Sequence, residues 1–565
     1  MSNFKLVKSS GAVVISGAAI AVQAVNPFVG HANGWNSVTG DNGYYSLDDT
    51  WLAVFGDHAT VIFASVGDQV SFNGPSSSYY DETVNSSGGG GAIIVVHAHV
   101  TLSGQDNVIF FDPSNDVLNL SSAANGWNTL YASSGTVNLN GASLNVLGVT
   151  SRTVVGNVIT INSVSGVNAV SLYGNEGNAY LVNGDEVTVT LTNATAAIHG
   201  SGDWIWLVGG SASHVVLDLN AGQFDTVYGA GTVSLQGGAV VSVGGGALVD
   251  FLAAGGVAYL SYTQGIWDQV RGAAGTVALH DAQASVFGGG QRVEFSGGDD
   301  DAASLYQTGG NWDFVYGNAK TLAINGAQAS VFGAVGDIYL DGAGAEVSIY
   351  DTYSYSYLAT RVHAENGVAI VRNSRVEVIG GDDKVYLDAS GFADVTISAT
   401  DGRWDNVYEQ NQFLTLNGAQ TSVFGGGNTI LAFAGNDALS LYDTGANADV
   451  VEGGGAVTLN DATALLIGSN FYVYFSAGAN SATLANYHDD DLLTFEGGFG
   501  RDTISNFQST DVIALSKTEF ADFHAFQAAL TQQGDDSVLT LDANDTATFV
   551  GVQTFAITAA QVRFV

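Results

Sequence analysis

One short marker returns along this chain at nearly constant spacing, and that recurrence constrains the fold more than any other feature. Trp267-Asp268-Gln269-Val270 reappears 45 residues later as Trp312-Asp313-Phe314-Val315-Tyr316, and 92 residues beyond that as Trp404-Asp405-Asn406-Val407-Tyr408. Phe224-Asp225-Thr226-Val227-Tyr228 and Ala448-Asp449-Val450-Val451 keep similar spacing, as do Trp35-Asn36-Ser37-Val38 and Trp127-Asn128-Thr129-Leu130-Tyr131, which lie 92 residues apart. A second marker follows the first: Ser285-Val286-Phe287-Gly288, then Ser330-Val331-Phe332-Gly333, then Ser422-Val423-Phe424-Gly425. About ten copies of a unit of roughly 45 residues cover 31–487. A unit of this size cannot bury an apolar face alone, so copies must stack on one another.

Inside the unit the pattern is strand after short strand. Alternating Val, Phe and Tyr over 276–281, 284–289, 292–297, 303–308 and 313–318 predict strands, and Gly, Asn and Asp between them supply turns. Strand starts recur every nine or ten residues. The 74 Gly interrupt any helical run. The reading is an all-β chain, a long repetitive β-solenoid with Asn, Val and Phe ladders inside. The competing architecture is a string of small β-sandwich domains, against which the scarcity of linker prolines (3 Pro in 565 residues) argues.

Charge narrows the partners. With 14 Lys+Arg against 54 Asp+Glu the formal net charge is −40, too few cations to neutralise nucleic-acid phosphates or to seek an anionic membrane. There is no Cys, hence no disulfide framework, thiolate metal site or thiol catalysis. No run reaches the ~18 apolar residues of a membrane helix, so no membrane span is expected. At the N-terminus Lys5 and Lys8 precede a mildly apolar stretch, 11–22, followed by Gln23-Ala24. This is either a secretory signal or an extended arm or first strand over 1–30; β-branched residues and the interrupting Ser and Gly favour the second.

After residue 487 the pattern changes. Gly497-Gly498-Phe499-Gly500-Arg501-Asp502-Thr503-Ile504 fits the nonapeptide G-G-x-G-x-D-x-U at every fixed position, and His488-Asp489-Asp490-Asp491 precedes it. Asp511-Val512-Ile513-Ala514 follows, then a predicted helix over 520–530 and short strands to Val565. The stretch 488–565 resembles the C-terminal module of RTX, hemolysin-type calcium-binding proteins exported by type I secretion, and the overall profile resembles bacterial surface-layer proteins. The resemblance covers about 75 residues and implies a small calcium-binding β module, export without a cleaved N-terminal signal and an extracellular, cell-surface location. It assigns no activity, because such modules accompany proteases, lipases, adhesins and surface-layer proteins alike. The residue chemistry agrees: Ca²⁺ takes six to eight hard oxygens from carboxylates and carbonyls. By resemblance the ligands are Gly498, Gly500 and Asp502, with Asp489, Asp490, Asp491 and Asp511 nearby. Further carboxylates, Asp299, Asp300 and Asp301, Asp382 and Asp383, and Asp437, sit at strand ends and are candidate metal ligands or plain turns.

Enzymatic chemistry is not expected. The acidic pairs recur in turns where a catalytic pair should be unique, the nine Arg and five Lys are scattered, and His199, His280 and His363 form no metal-spaced set. The marker tryptophans are either solenoid-corner aromatics or stacking platforms for sugars, and the alternating tyrosines of 350–357 suit a sticky ribbon or an intersubunit contact. The expectation is a secreted structural protein that self-assembles into a surface layer, sheet or filament with calcium, its partner being itself. The second reading is an adhesin or biofilm-matrix protein that binds cell-surface polysaccharide; a polysaccharide-active enzyme is the third.

Overall fold

In the computed structural model the solenoid is present, and its repeating element is a coil of two strands. Residues 8–565 are described apart from 10–11, 17–34, 40–43, 48–50, 56–57, 64–67, 74–79, 87–90, 97, 112–115, 122–126, 133, 149–157, 166–167, 175–178, 210–211, 218–223, 237–238, 253, 297–300, 307–308, 334, 351–359, 388–392, 433, 435 and 486–489. The chain divides into two units, Met1–Ala284 and Ser285–Val565, each a parallel β-solenoid; together they hold about 21 turns.

Most strands pair in parallel not with their neighbour in sequence but with the next but one. In the first unit Ala239–Val243 pairs with Val257–Ser261, while Leu248–Phe251, which lies between them in sequence, pairs with Asp268–Arg271. In the second unit Trp404–Tyr408 pairs with Gln420–Phe424, and Phe413–Asn417 with Thr429–Ala432. The result is two ladders per unit, each receiving one strand from every coil. Alternation explains the core: along Gln283–Phe287 or Phe413–Asn417 every second residue is buried, and the inward positions hold Val, Leu, Ile and Ala. All five strands expected between 276 and 318 are found, as Thr276–His280, Gln283–Phe287, Arg292–Phe295, Ala302–Tyr306 and Asp313–Gly317.

The coil explains both spacings of the marker. Phe224-Asp225 and Trp267-Asp268 lie 43 residues apart and lead into Asp225–Tyr228 and Asp268–Arg271, which belong to different ladders. A spacing near 45 is two and a half coils, so it changes ladder. The 92-residue spacing is five coils: Trp127–Ala132 lies in the same ladder as Trp35–Thr39, and Trp404–Tyr408 in the same ladder as Asp313–Gly317.

Coils close through positive-φ residues, because a chain reversing between stacked strands must turn against its neighbours. Gly380 has φ 134°, and a Cβ there would collide with the Ala364 carbonyl one coil back. Segment 12–16 is a strand, Ala12–Ser16, parallel to Trp35–Thr39; the rest of the apolar stretch, 17–22, lies outside the described residues. Parallel pairing is still found in the strands after residue 490, since Leu492–Phe495 pairs with 472–475 and Arg501–Ser505 with 481–483. The architecture changes later. A helix, Phe523–Ala529, capped by Asp522 at the Ala525 amide (2.9 Å), leads into the antiparallel strands Leu530–Gln533, Asp536–Thr540 and Thr546–Val550, the last of which also closes one ladder on Arg501–Ser505.

Candidate functional site

The most repeated chemical feature is a buried carboxylate or amide at the corner where a coil enters a strand. The local rule is Asp or Asn, any residue, then an inward aliphatic: Asp268-Gln269-Val270, Asp313-Phe314-Val315, Asp405-Asn406-Val407, Asn128-Thr129-Leu130. Period-2 alternation turns both the first and the third residue inward. At that position the side chain reaches back one coil and accepts a backbone N–H. Asp203 Oδ1 accepts from Val187 (2.8 Å), Asp268 Oδ1 from Ala247 (2.8 Å), Asp313 Oδ1 from Gln291 (2.8 Å), and Asp449 Oδ1 from Asn428 (2.9 Å). Corners follow one another directly, Asp383 donating its own N–H to Asp405 Oδ1 at 2.9 Å.

At seven corners only half of the carboxyl is used. Oδ2 of Asp203, Asp268, Asp313, Asp383, Asp405, Asp449 and Asp502 is buried without a hydrogen-bond partner. Burial therefore dominates their acidity. Asp203, Asp268, Asp313, Asp405, Asp449 and Asp502 are pushed up to about 7, and Asp225, Asp383 and Asp511 to about 6, the accepted backbone N–H bonds offsetting part of the desolvation. Glu409, wholly buried near Asp449, is pushed to about 8.

Five of the thirteen residues expected to bind metal, Asp383, Asp437, Asp491, Asp502 and Asp511, belong to this corner system. Asp383 accepts from Gly367 (2.8 Å), Asp437 from Ala419 (3.1 Å) and Ala434 (2.9 Å), Asp491 from Phe471 (2.9 Å), and Asp511 from Gln508 (2.6 Å) and Asp491 (3.3 Å). Asp301 is buried ahead of Ala302–Tyr306, whereas Asp382 and Asp490 are exposed. Asp299, Asp300 and Asp489 lie outside the described residues.

Around the nonapeptide the structure gathers a different set. Gly498 and Gly500 take φ 82° and 89°, and their N–H groups donate to Asp545 at 3.0 and 2.8 Å. Asp502 accepts from Asn480 N (3.3 Å) and Nδ2 (2.9 Å) and leaves Oδ2 buried and orphaned. Glu519 lies against Gly497, its carboxyl raised by burial and by Asp545 and Glu496, with Oε2 orphaned. Sequence reasoning missed Asp545 and Glu519, 43 and 17 residues from Asp502; the only signal was an acidic turn, 542–545, ahead of the strand Thr546–Val550. The donors are all oxygen, and two carboxyls carry orphaned oxygens, which suits Ca²⁺ in kind. Among the described residues no three His, Asp or Glu side chains already stand as a metal cage, so a cation would have to draw them together.

Three marker tryptophans face outward: Trp127, Trp267 and Trp404 are exposed, one residue before the corner, and Trp204, exposed too, follows the corner residue Asp203. Other aromatics stack along the ladders, as in Tyr386–Tyr408–Phe424–Tyr442 with centroids 4.8, 4.9 and 4.7 Å apart. Tyr350 stacks between Phe332 and the Arg372 guanidinium, while 351–357 lie outside the described residues. Asn119, Asn138, Asn162 and Asn183 form an amide ladder linked by bonds of 2.7, 2.8 and 2.8 Å; they are half-buried on the outer side, so this Asn ladder is not in the core.

Fold and corner chemistry define the class, a parallel two-ladder β-solenoid with buried corner carboxylates. No family model, curated protein or solved structure matches the chain.

Proposed function

We propose that this chain is an extracellular structural protein of bacterial surfaces that assembles with copies of itself, assisted by Ca²⁺, and that its role is not catalytic. The observation that carries the reading is the solenoid itself: about 21 turns present the same backbone, corner and outer positions again and again. A surface repeated at the ~4.8 Å spacing of strands suits periodic assembly, because a contact made at one coil is offered by the next. The net charge of −40 opposes association, and a divalent cation reduces that repulsion. Calcium would be held in the C-terminal loop by Asp502, Asp545 and Glu519, where the RTX-like nonapeptide lies. Bound there, the ion supplies positive charge beside Asp545, whose charge adds to burial in raising the pKa of Asp502 and of Glu519.

Electron microscopy of the purified chain with and without Ca²⁺ tests this. Ordered sheets or filaments that disperse on chelation are expected; polymer that survives chelation overturns the calcium step, and a chain that never assembles overturns the whole reading. A glycan-binding adhesin is the second reading, favoured by the exposed Trp127, Trp267 and Trp404 at one repeated position. Specific glycan affinity in the monomer would select it.

A further inference from the structure

One ladder of the first unit has an outer face unlike the rest of the molecule. It runs through twelve successively paired strands, from Trp51–Phe55 to Val257–Ser261. Those strands contain a single charged residue, Asp225, and it points inward at a corner. The outward positions are mostly Thr, Ser, Val, Ala and aromatic residues, with Gln69, Ile94, Asn145 and Leu147 among them, and Phe110, Trp204, Trp206 and Tyr259 are exposed. The other ladder of the same unit is polar outside: it carries Asp81 paired with His99 at 3.1 Å, the Asn ladder, Asp250 and Arg271.

We infer that this uncharged face is where a second copy of the chain docks, sheet face against sheet face. The inference rests on the self-assembly reading and names its surface. Three observations choose the occupant. First, in a chain of formal charge −40, two copies repel wherever carboxylates face each other, and this is a broad face on which they do not. Second, the area suffices: eleven inter-strand spacings of ~4.8 Å and strands ~15 Å long give about 800 Å² per copy, the size of a stable interface. Third, the rings are turned edge outward. Phe110 stacks on Tyr131 with centroids 5.1 Å apart and planes at 11°, and Trp206 on Tyr228 at 4.3 Å and 14°. Each stack takes up one face of both rings against a ladder neighbour, and that face is closed to the sugar C–H groups that a stacking platform must receive. Ring edges standing on a sheet instead interdigitate with those of a second sheet, as in face-to-face packing ~10 Å apart. End-to-end growth is less favoured at the C-terminal end, where Asp536–Thr540 pairs antiparallel with Thr546–Val550 and stops one parallel ladder.

The test compares two triple variants of the full chain. Thr190→Glu, Thr226→Glu and Val241→Glu place three carboxylates on the uncharged face; Thr136→Glu, Thr160→Glu and Thr232→Glu place three on the polar ladder. Sedimentation and electron microscopy are expected to show wild-type assembly in the second variant and at least a tenfold higher assembly concentration in the first, both keeping the wild-type circular dichroism. Because the chain has no Cys, single thiols provide a readout without a folding risk. Thr226→Cys should become at least tenfold slower to react with a maleimide on assembly, and Thr232→Cys should stay reactive. Wild-type assembly with Thr226→Cys still reactive, or with the first triple variant unimpaired, overturns this surface and leaves self-assembly standing. A wild type that stays monomeric at all concentrations overturns both. A monomer that binds polysaccharide and loses it in the first triple variant reassigns the face to glycan and overturns the second copy.

Discussion

Replacing Asp268 by Asn isolates what one corner carboxyl does. Asp268 is fully buried, its Oδ1 accepts from Ala247 at 2.8 Å, its Oδ2 has no partner, and burial lifts it from 3.8 to about 7 with only backbone amides opposing the shift. Since the folded value lies above the unfolded one, the folded chain holds a proton that the unfolded chain has lost between pH ~4 and ~7. Stability is therefore highest below pH ~4, falls as pH rises through that window, and levels off above ~7. From pH 5 to pH 7 the loss spans two units at ~1.4 kcal/mol each, so about 2.5 kcal/mol. Asn keeps the acceptor and cannot ionise, and Asn128 shows that a corner amide can place its Nδ2 on a carbonyl, that of Gly104 at 3.1 Å. The stability of Asp268→Asn relative to wild type should accordingly rise by about 2.5 kcal/mol between pH 5.0 and pH 8.5. Urea unfolding at both pH values measures it, and hydrogen exchange at the Ala247 amide, corrected for intrinsic rate, reads the same opening locally, which matters because solenoids open in segments. A variant-minus-wild-type difference that is equal at the two pH values, or smaller at pH 8.5, would refute the protonated corner.

Three further outcomes follow from the geometry. Asn138→Ala removes the middle of the amide ladder and strands the amides of Asn119 and Asn162, so the first unit should lose about 1–2 kcal/mol in urea unfolding, with no pH dependence. Gly380→Ala forces a Cβ into the Ala364 carbonyl at φ 134° and should cost about 3 kcal/mol by the same assay, while Gly344→Ala, with open space around its Cβ, should cost about 1 from its φ of 85° alone. Millimolar Ca²⁺ should raise the melting temperature, and the double variant Asp502→Asn, Asp545→Asn should weaken Ca²⁺ binding at least tenfold by calorimetry; unchanged binding would remove the C-terminal loop from the calcium proposal.

Alternation was readable because it acts over two residues: every strand between 276 and 318 follows from period-2 Val, Phe and Tyr between turn residues. Coil length was harder. The Trp-Asp marker is visible every 43–45 residues, yet a coil contains two strands of different ladders, and a marker displaced by two and a half coils looks like a repeat of its own. Corner chemistry was half legible. Asp383, Asp437, Asp491 and Asp502 drew attention as metal ligands because acids beside glycines resemble calcium loops, but their oxygens reach amides one coil back, a contact 16 to 22 residues away in sequence. Asp545 had only the acidic turn 542–545 to mark it, since it meets Gly498 and Gly500 only after the helix Phe523–Ala529 and the antiparallel strands turn the chain back, and Glu519, ahead of that helix, meets Gly497 across 22 residues of sequence.

The corner residues also answer a question that any stack of near-identical parallel coils raises: what holds one register. A slip of one residue would turn the apolar side chains outward and is excluded by burial, but a slip of two keeps every face and costs little where Val, Leu and Ile alternate. At the corner that slip is costly. Oδ1 of Asp203 must meet the Val187 amide and Oδ1 of Asp225 the Asp203 amide, and a two-residue shift would leave the carboxyl with both oxygens unbonded in an apolar interior. Neutral Asn128 accomplishes the same for Asn107, Oδ1 accepting both its N–H at 3.0 Å and its Nδ2 at 2.9 Å. Register is thus set by an acceptor at a fixed place in each coil, and either residue provides it. Choosing Asp at Asp203, Asp268, Asp313, Asp405 and Asp449 adds a second property that Asn lacks: these coils become tighter as protons are gained and looser as they are lost near pH 7.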